Sequence, residues 1–277
     1  MRHDRIELPG PLVLAGAGNM GGALLAGWLE CGLSPRSIVV QDPSPPPPVA
    51  ALLQQHGIQA QTVIAPWPEP PAVLLMAVKP QVMDDVFPPL ARLVGRETVV
   101  LSVAAGRTIA SYEKHLPAAG AVVRAMPNMA ASVGRAITVL TANAHATRAQ
   151  KALCETLLAA VGEVLWAAEE RLMDAVTAVS GSGPAYVFYL TECLAEAGIK
   201  AGLEAQQARK LARATVAGAG ELLFRSELAP EVLRQNVTSP NGTTFAALQV
   251  LMGERGLAPL LAEAVAAAAR RSRELST

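Results

Sequence analysis

The chain has 277 residues, 51% of them hydrophobic, and its 23 Lys and Arg residues balance its 23 Asp and Glu residues. A neutral balance gives no electrostatic reason to expect nucleic acid or an anionic membrane surface as a partner. Three separated cysteines and four histidines without metal-ligand spacing argue against disulfides and a metal site and predict a cytoplasmic protein.

The chain opens with an apolar run that leads into a glycine-rich turn. Residues 11–15 predict a strand and residues 19–31 a helix, with a GxGxxG turn at their junction. This order is typical of a dinucleotide-binding unit, because the glycines allow a tight turn and let a pyrophosphate approach the helix N-terminus. The residues expected to hold the phosphates are Gly16, Ala17, Gly18, Asn19, Met20 and Gly21.

A second predicted strand, 37–42, ends at Asp42, 21 residues after Gly21. An acidic side chain at this point can hydrogen-bond the ribose hydroxyls of the coenzyme, which favours NAD over NADP. The alternative is an aspartate that only caps a turn. The proline run 45–48 predicts a stiff turn, followed by a short helix over 49–56.

Strand-like and helix-like segments then alternate, which predicts an α/β fold with a doubly wound, mostly parallel, Rossmann-like sheet. From about residue 167 onwards only helical spacing is found. We therefore expect a dinucleotide-binding domain over 1–166 and an all-helical domain over 167–277. The further predicted strands are 58–63, 72–78, 97–103 and 121–126, and the later helices are 172–180, 184–200, 204–224, 230–236, 243–254 and 257–273.

Three strand ends carry further candidate residues. Segments 77–80 and 103–106 follow apolar strands and should reach the edge of the sheet where ligands bind. The small residues of the second segment would admit a flat ring. Lys79 is either a site residue or an ordinary surface lysine, and Asn128 either orients a ligand or caps the turn after Pro127.

Two glycine-containing loops lie in the helical half. Loop 180–186 lacks a GxSxG elbow and a nearby histidine, so helix capping and packing is expected there. Loop 237–244 opens a helix with hydroxyls and free amides of Gly242, Thr243 and Thr244, which would suit a carboxylate. A helix cap supplied by Thr243 alone is the alternative. The apolar face of 204–224 fits either an internal core or a dimer interface.

Six segments together resemble motifs of the Δ1-pyrroline-5-carboxylate reductase family, in that family's order: 16–21, 77–80, 103–106, 124–128, 179–186 and 239–244. The resemblance covers nearly the whole chain. It implies an oxidoreductase of proline biosynthesis that reduces the cyclic imine L-1-pyrroline-5-carboxylate to L-proline with NADPH or NADH. It also implies that the helical C-terminal domain forms a homodimer, often assembled further, which could complete each site from two chains.

The same resemblance assigns the site residues. The implied coenzyme residues are the six of the glycine turn with Asp42, Ala77, Val78, Lys79, Pro80, Val103, Ala104, Ala105 and Asn236. The implied substrate residues are Glu227, Ser239, Gly242, Thr243 and Thr244, and the Thr244 hydroxyl is the catalytic group that hydrogen-bonds the imine nitrogen.

The chain departs from the family pattern at three places. Asn241 stands where the family has glycine, but asparagine tolerates a left-handed backbone. Met129 and Ala130 replace a common Thr-Pro pair. Asp42 replaces Ser, Thr or Asn, and its carboxylate would repel a 2′-phosphate, which favours NADH.

Two other functions stay open on the sequence. One is reduction of another imine or oxidation of a β-hydroxy acid, although the helix opening at 184 offers only Lys200 as a base. The other is non-catalytic dinucleotide binding, which gives no reason to retain the 239–244 loop.

Overall fold

A computed structural model describes residues 6–64 and 69–276 of the chain. Its strands are Leu12–Ala15 (β1), Ile38–Gln41 (β2), Ala60–Gln61 (β3), Val73–Met76 (β4), Val99–Ser102 (β5), Ala121–Met126 (β6), Ala136–Ala142 (β7) and Gly162–Trp166 (β8). Its α-helices are Asn19–Glu30 (α1), Pro47–Gln55 (α2), Met83–Ala91 (α3), Ile109–Glu113 (α4), Arg148–Ala159 (α5), Met173–Val176 (α6), Gly183–Lys200 (α7), Ala205–Arg225 (α8), Pro230–Asn236 (α9), Thr243–Leu251 (α10) and Leu257–Leu275 (α11).

The strands form one sheet in the order β3-β2-β1-β4-β5-β6-β7-β8. Neighbours are parallel except β6 and β7, which pair antiparallel. The order reverses between β1 and β4, and an open sheet of this kind binds ligands beyond the carboxyl ends of its strands at that point. The predicted doubly wound, Rossmann-like sheet is thus confirmed.

Helices cover both faces of the sheet, which explains why its central strands are continuous apolar runs. Leu12 and Leu14 belong to one buried cluster, which also contains Trp28 of α1. Val13 and Ala15 point to the opposite cluster, which contains Phe87 of α3. The alternation follows from the two-residue period of a strand.

Two features of the sheet and its helices differ from the sequence predictions. β7 and β8 were not predicted and extend the sheet beyond β6. The proline run is not a turn throughout, because α2 begins at Pro47. A proline fits the first turn of a helix, where its missing N–H has no helical partner.

The described residues divide into two compact units, which we call the sheet unit and the helical unit. The sheet unit lies within Met1–Gly181 and Ala269–Thr277, and the helical unit is Ser182–Ala268. The last turns of α11 therefore belong with the sheet. The predicted boundary at residue 166 remains a prediction, although the compact units change over later, at residue 181.

The helical unit leaves many apolar side chains exposed. Val187, Phe188 and Tyr189 on α7 are 45%, 54% and 67% exposed, and Leu211 and Leu222 on α8 are 54% and 65% exposed. The apolar face of α8 is therefore divided: Ala208 and Ala212 are buried within one chain, whereas Leu211 and Leu222 are exposed. Large apolar side chains exposed in this number are typical of a protein–protein interface. Among the described residues, no helix is long and apolar enough to cross a membrane.

Candidate active site

The glycine turn packs tightly between the ends of β2 and β4. Gly16 donates its amide to Gln41 O at 2.8 Å and adopts φ 91°, a conformation that favours glycine. A Cβ on Gly16 would lie 2.8 Å from the backbone of Ala77, and one on Gly21 would lie 2.1 Å from Gly16 O. The chain can therefore make this turn only with glycine at both positions.

Gly18 is different, because a Cβ built on it meets nothing within 4 Å. Its side of the turn is open, which is where a pyrophosphate would approach the backbone. Gly18 is also the N-cap of α1, and its φ of −71° suits any residue. The first helical hydrogen bond of α1 runs from Gly22 N to Gly18 O, so the amides of residues 19–21 lie outside the helical ladder. These residues fit the phosphates of a dinucleotide.

Asp42 connects the end of β2 to the glycine turn. Its Oδ2 accepts the Ala17 amide at 2.7 Å, and its Oδ1 accepts the Ser44 amide at 2.8 Å. Asp42 therefore caps a local turn, as the alternative in the sequence analysis predicts. It also holds the glycine turn in place through the Ala17 amide. A carboxylate oxygen can accept more than one hydrogen bond, so these two bonds leave acceptor capacity for a ribose hydroxyl.

The segment after β4 follows the predicted strand end. The Ala77 amide donates to Ala15 O at 2.8 Å, which ties the segment to the end of β1. Ala77 and Val78 are half-buried, and Pro80 begins a 3-10 helix over Pro80–Val82. Lys79 is exposed and precedes that helix as its N-cap, so its position fits either of the two predicted roles.

The segment after β5 is supported by a buried hydroxyl pair. Ser102 Oγ and Tyr112 Oη are 2.6 Å apart, and the Ala104 amide donates to Ser102 Oγ at 3.2 Å. Burial raises the pKa of Tyr112 to about 12, so its hydroxyl stays neutral. Val103 and Ala104 are buried, whereas Ala105 is exposed at the sheet edge.

Asn128 precedes a 3-10 helix, Met129–Val133, but its side chain makes no cap hydrogen bond. Its Oδ1 is buried and has no hydrogen-bond partner in the described part of the chain. Of the two roles left open, turn capping by the side chain is therefore wrong. An orphaned buried acceptor calls for a partner outside the chain, such as water or a ligand.

The 180–186 loop does not cap α7 as predicted. The five residues Thr177–Gly181 form a π-helical turn, and α7 begins at Gly183 with Ser182 as an N-cap that makes no side-chain hydrogen bond. Gly181 packs closely, since a Cβ there would lie 2.5 Å from Met126 Cε. The packing role is observed and the capping role is not.

In the helical unit, a tight turn precedes α10. Gly242 donates its amide to Ser239 O at 3.1 Å, with Pro240 and Asn241 as the central residues. Asn241 has φ 56°, and no other non-glycine residue in the described ranges has a positive φ. Asn241 thus takes the left-handed conformation that asparagine was expected to tolerate.

Two expectations about this turn need correction. Thr243 is not the N-cap of α10, because the helix begins at Thr243 and Gly242 holds the N-cap position. Glycine has no side chain that could bond the free amides of the first turn. The Gly242 amide is not free, because Ser239 O accepts it. The first helical bond runs from Ala246 N to Gly242 O, so the amides outside the ladder are those of residues 243–245.

The remaining predicted substrate residues differ in burial. Thr244 is half-buried, and its hydroxyl forms no hydrogen bond within residues 6–64 and 69–276. Ser239, Thr243 and Glu227 are exposed, as is Asn236 at the end of α9. The structure thus brings Ser239, Gly242, Thr243 and Thr244 together in one turn, and places Glu227 between α8 and α9.

Sequence reasoning missed Arg107, Ser102 and Tyr112. Arg107 follows the small-residue segment 103–106 directly, and a charged residue beside a strand-end glycine is the signal that could have identified it. Ser102 and Tyr112 are separated by ten residues, and their pairing had no signal in the chain. In the part of the chain that is described, His, Cys, Asp and Glu side chains form no cluster of three that could hold a metal ion.

Two family models match the chain. Residues 170–275 match the model described as "Pyrroline-5-carboxylate reductase dimerisation". Residues 12–106 match the model described as "NADP oxidoreductase coenzyme F420-dependent". The two matches cover the helical half and most of the sheet, respectively.

Curated and solved relatives agree with these matches. The Pseudomonas aeruginosa pyrroline-5-carboxylate reductase is 38% identical over 96% of each chain. A pyrroline-5-carboxylate reductase structure from Coxiella burnetii superposes with a TM-score of 0.89 at 34% identity, over 98% of this chain and 100% of that one. The Plasmodium falciparum enzyme structure with NADP bound has a TM-score of 0.76 at 24% identity, over 97% and 99% of the two chains, and shows the shared fold. The chain belongs to the pyrroline-5-carboxylate reductase family.

Proposed function

We propose that the chain reduces Δ1-pyrroline-5-carboxylate to proline with its substrate seated on the turn before α10. The observation that carries this assignment is the uncapped start of α10, where three amides lie beside a Thr244 hydroxyl without a partner in the described residues. An uncapped helix start favours an anion, which fits the substrate carboxylate. The oriented hydroxyl fits the imine nitrogen.

The chemistry needs little from the protein beyond placement. When bound, the nicotinamide coenzyme would supply a hydride to the carbon of the protonated imine, and the electron pair of the C=N π bond would pass to the ring nitrogen, which already carries the proton of the amine. A protonated imine is already electrophilic, so no side chain has to act as a general acid. The chain's task is to hold the imine carbon about 3–3.5 Å from the hydride donor. This explains why Ser239–Thr244 contains hydroxyls and amides but no titratable side chain.

The sheet unit supplies the coenzyme residues in this proposal. The glycine turn and the start of α1 hold the pyrophosphate, and segments 77–80 and 103–105 receive the nicotinamide half. Asn236 and Glu227 remain assigned by family resemblance, to the coenzyme and the substrate respectively. Their exposure in a single chain is compatible with both roles.

NADH is the proposed coenzyme. The two hydrogen bonds that Asp42 accepts from backbone amides keep its carboxylate beside the glycine turn. A 2′-phosphate at this position would be repelled by the negative charge of the carboxylate. The family model over 12–106 is named for NADP, and the Plasmodium falciparum enzyme was crystallised with NADP. The fold therefore accommodates the phosphorylated coenzyme, and the preference depends on the residue at the end of β2.

The proposed assembly is a homodimer through the helical unit. The dimerisation model covers 170–275. The apolar side chains that α7 and α8 expose in a single chain would be buried in a dimer interface. A second copy of the chain supplies the same apolar surface in a symmetric arrangement.

Coenzyme oxidation measured at 340 nm tests the function. NADH is supplied with pyrroline-5-carboxylate and, separately, with a six-membered cyclic imine carboxylate, and a panel of hydroxy acids is tested with NAD+. We expect turnover to be fastest with pyrroline-5-carboxylate. Faster turnover of another substrate, or binding of NADH without turnover of any, would refute the proposal.

A further inference from the structure

Arg107 joins the two strand-end segments that the proposed function assigns to the nicotinamide half of the coenzyme. Its side chain is only 10% exposed. Nη1 donates to Asp84 Oδ1 at 3.0 Å, and Nη2 donates both to Asp84 Oδ2 at 2.7 Å and to Pro80 O at 2.8 Å. One guanidinium therefore makes a forked ion pair and a backbone hydrogen bond.

The partners of Arg107 lie on the segment that follows β4. Pro80 ends the predicted coenzyme segment 77–80, and Asp84 is in the first turn of α3. Arg107 itself follows 103–105 after β5. The guanidinium thus links the segments that follow β4 and β5, beyond the point where the Val103 amide donates to Met76 O and the pairing of the two strands ends.

The same loop also lies close to the end of α11. Gly106 has φ 74°, and a Cβ built on it would lie 3.1 Å from Leu275 O in the last residue of α11. A cavity of about 440 Å³ lies here, lined by residues that include Pro80, Ala105, Gly106, Arg107 and Leu275. The cavity therefore lies at the carboxyl ends of β4 and β5, within the sheet unit.

We propose that Arg107 is a positioning residue that sets the width of this cavity and thereby orients the nicotinamide end of the coenzyme. In a doubly wound sheet, one half of a dinucleotide lies over β1 and β2 and the other over β4 and β5. The adenosine half therefore depends on the glycine turn and Asp42, whereas the nicotinamide half depends on the spacing that Arg107 holds.

The geometry of the pair favours arginine specifically. A guanidinium presents several donors in a rigid plane, so it can hold a carboxylate and a carbonyl at once, while an ammonium acts as a single point charge. Hydrogen bonding to Arg107 also lowers the pKa of Asp84 below its ordinary value, so the fork persists throughout the neutral range. Because the Asp84 side chain is 73% exposed, the pair contributes little to global stability.

The test compares two ligands that share the adenosine half. NADH and ADP-ribose are titrated by calorimetry into the wild-type enzyme and the variants Arg107→Ala, Arg107→Lys and Asp84→Asn. The control is Asp85→Asn, which makes the same charge change on the neighbouring exposed residue. We expect Arg107→Ala to weaken NADH binding roughly tenfold, because the nicotinamide end loses a preorganised cavity, and to leave ADP-ribose binding within about twofold of wild type.

The partial variants separate positioning from folding. Arg107→Lys and Asp84→Asn each keep part of the network, so we expect intermediate losses for NADH, a lower kcat with pyrroline-5-carboxylate, and an unchanged Tm. These two variants decide the question if Arg107→Ala fails to fold. Equal weakening of both ligands, or no weakening of either, would overturn the proposal. This inference rests on the proposed function, but its failure is distinguishable: wild-type enzyme would still reduce pyrroline-5-carboxylate with NADH.

Discussion

The backbone amide of Ala17 donates a 2.7 Å hydrogen bond to the carboxylate of Asp42. The two residues are 25 positions apart, and the bond joins the glycine turn after β1 to the end of β2. The residue proposed to choose the coenzyme is thus also part of the structure that holds the phosphate turn. A substitution at Asp42 therefore changes both charge and geometry, and the two effects have to be separated.

Asp42→Ser should increase NADPH use relative to NADH, because it removes the charge that repels a 2′-phosphate. We expect the ratio of kcat/KM for NADPH to that for NADH to rise roughly tenfold or more, as the loss of a like-charge contact implies. Steady-state kinetics with each coenzyme measures the ratio. Asp42→Asn is the matched variant, since it removes the charge and keeps a side-chain oxygen of similar reach. An unchanged ratio in both variants would show that Asp42 does not select the coenzyme.

Gly18→Ala and Gly21→Ala should separate coenzyme binding from folding. The Gly18 site has open space and an ordinary φ, so alanine should leave the free energy of unfolding nearly unchanged while it obstructs the pyrophosphate. At Gly21 the new Cβ would collide with Gly16 O, which should cost about 1–3 kcal/mol of stability. Urea unfolding and NADH titration of both variants test this. Unimpaired coenzyme binding by Gly18→Ala would contradict the phosphate assignment.

Thr244→Ala should lower kcat/KM for pyrroline-5-carboxylate by roughly 10–100-fold, because it removes an oriented hydroxyl from the imine nitrogen. The Kd for NADH should change little. Thr244→Ser keeps the hydroxyl and should recover most of the activity. Full activity of the alanine variant would remove Thr244 from the mechanism.

Stability should decline at high pH in a way that depends on Tyr112. Its pKa is about 12 in the folded chain because the phenol is buried, and about 10 in the unfolded chain. The unfolded chain therefore loses this proton first as pH rises, and stability falls between pH 10 and 12 by up to about 1.4 kcal/mol per pH unit. Burial also raises the pKa of the Cys154 thiol, which acts in the same direction.

Tyr112→Phe isolates the tyrosine contribution, because Cys154 is present in both proteins. Urea unfolding at pH 9, 10 and 11 should show a shallower decline for the phenylalanine variant. The variant should also be less stable at neutral pH, since Ser102 Oγ loses its hydrogen bond to the phenol and keeps only the one from the Ala104 amide. Parallel pH profiles would contradict the raised pKa.

Phe188→Asp should weaken the homodimer, because it places a charge on the exposed apolar surface of α7. Sedimentation velocity over a dilution series measures the dimer fraction. Val63→Asp, at an exposed apolar residue of the sheet unit, is the control and should sediment like the wild-type protein. Equal dimer fractions in all three proteins would place the interface elsewhere.

Local pattern was sufficient for the strands that are buried on both sides. Leu12–Ala15, Val73–Met76 and Val99–Ser102 are continuous apolar runs, and each was predicted because central parallel strands have no polar face. Strand Ala136–Ala142 was missed because only one side of it is well buried. Its antiparallel pairing with β6 is a tertiary contact, which the local sequence pattern does not indicate.

The turn before α10 shows the same division within a single site. The residues of the loop predicted its hydroxyls, and the comparison with the family pattern predicted that Asn241 could take a left-handed conformation, which its φ of 56° confirms. The prediction that the Gly242 amide is free was wrong, because Ser239 O accepts a hydrogen bond from it. A hydrogen bond across a turn is decided by the path of the chain.

The sequence by itself determined the class of the protein: a glycine turn between strand and helix, a run of buried strands, a helical second half and a set of motifs that resemble one reductase family. These features are local, so residue type and spacing are enough to specify them. Only the tertiary structure decided that Asp42 holds Ala17, that Arg107 joins Pro80 and Asp84, and that Tyr112 supports Ser102. Each of these contacts joins residues from different segments of the chain. Those residues come close together only when the strands pair into one sheet and the helices pack against it.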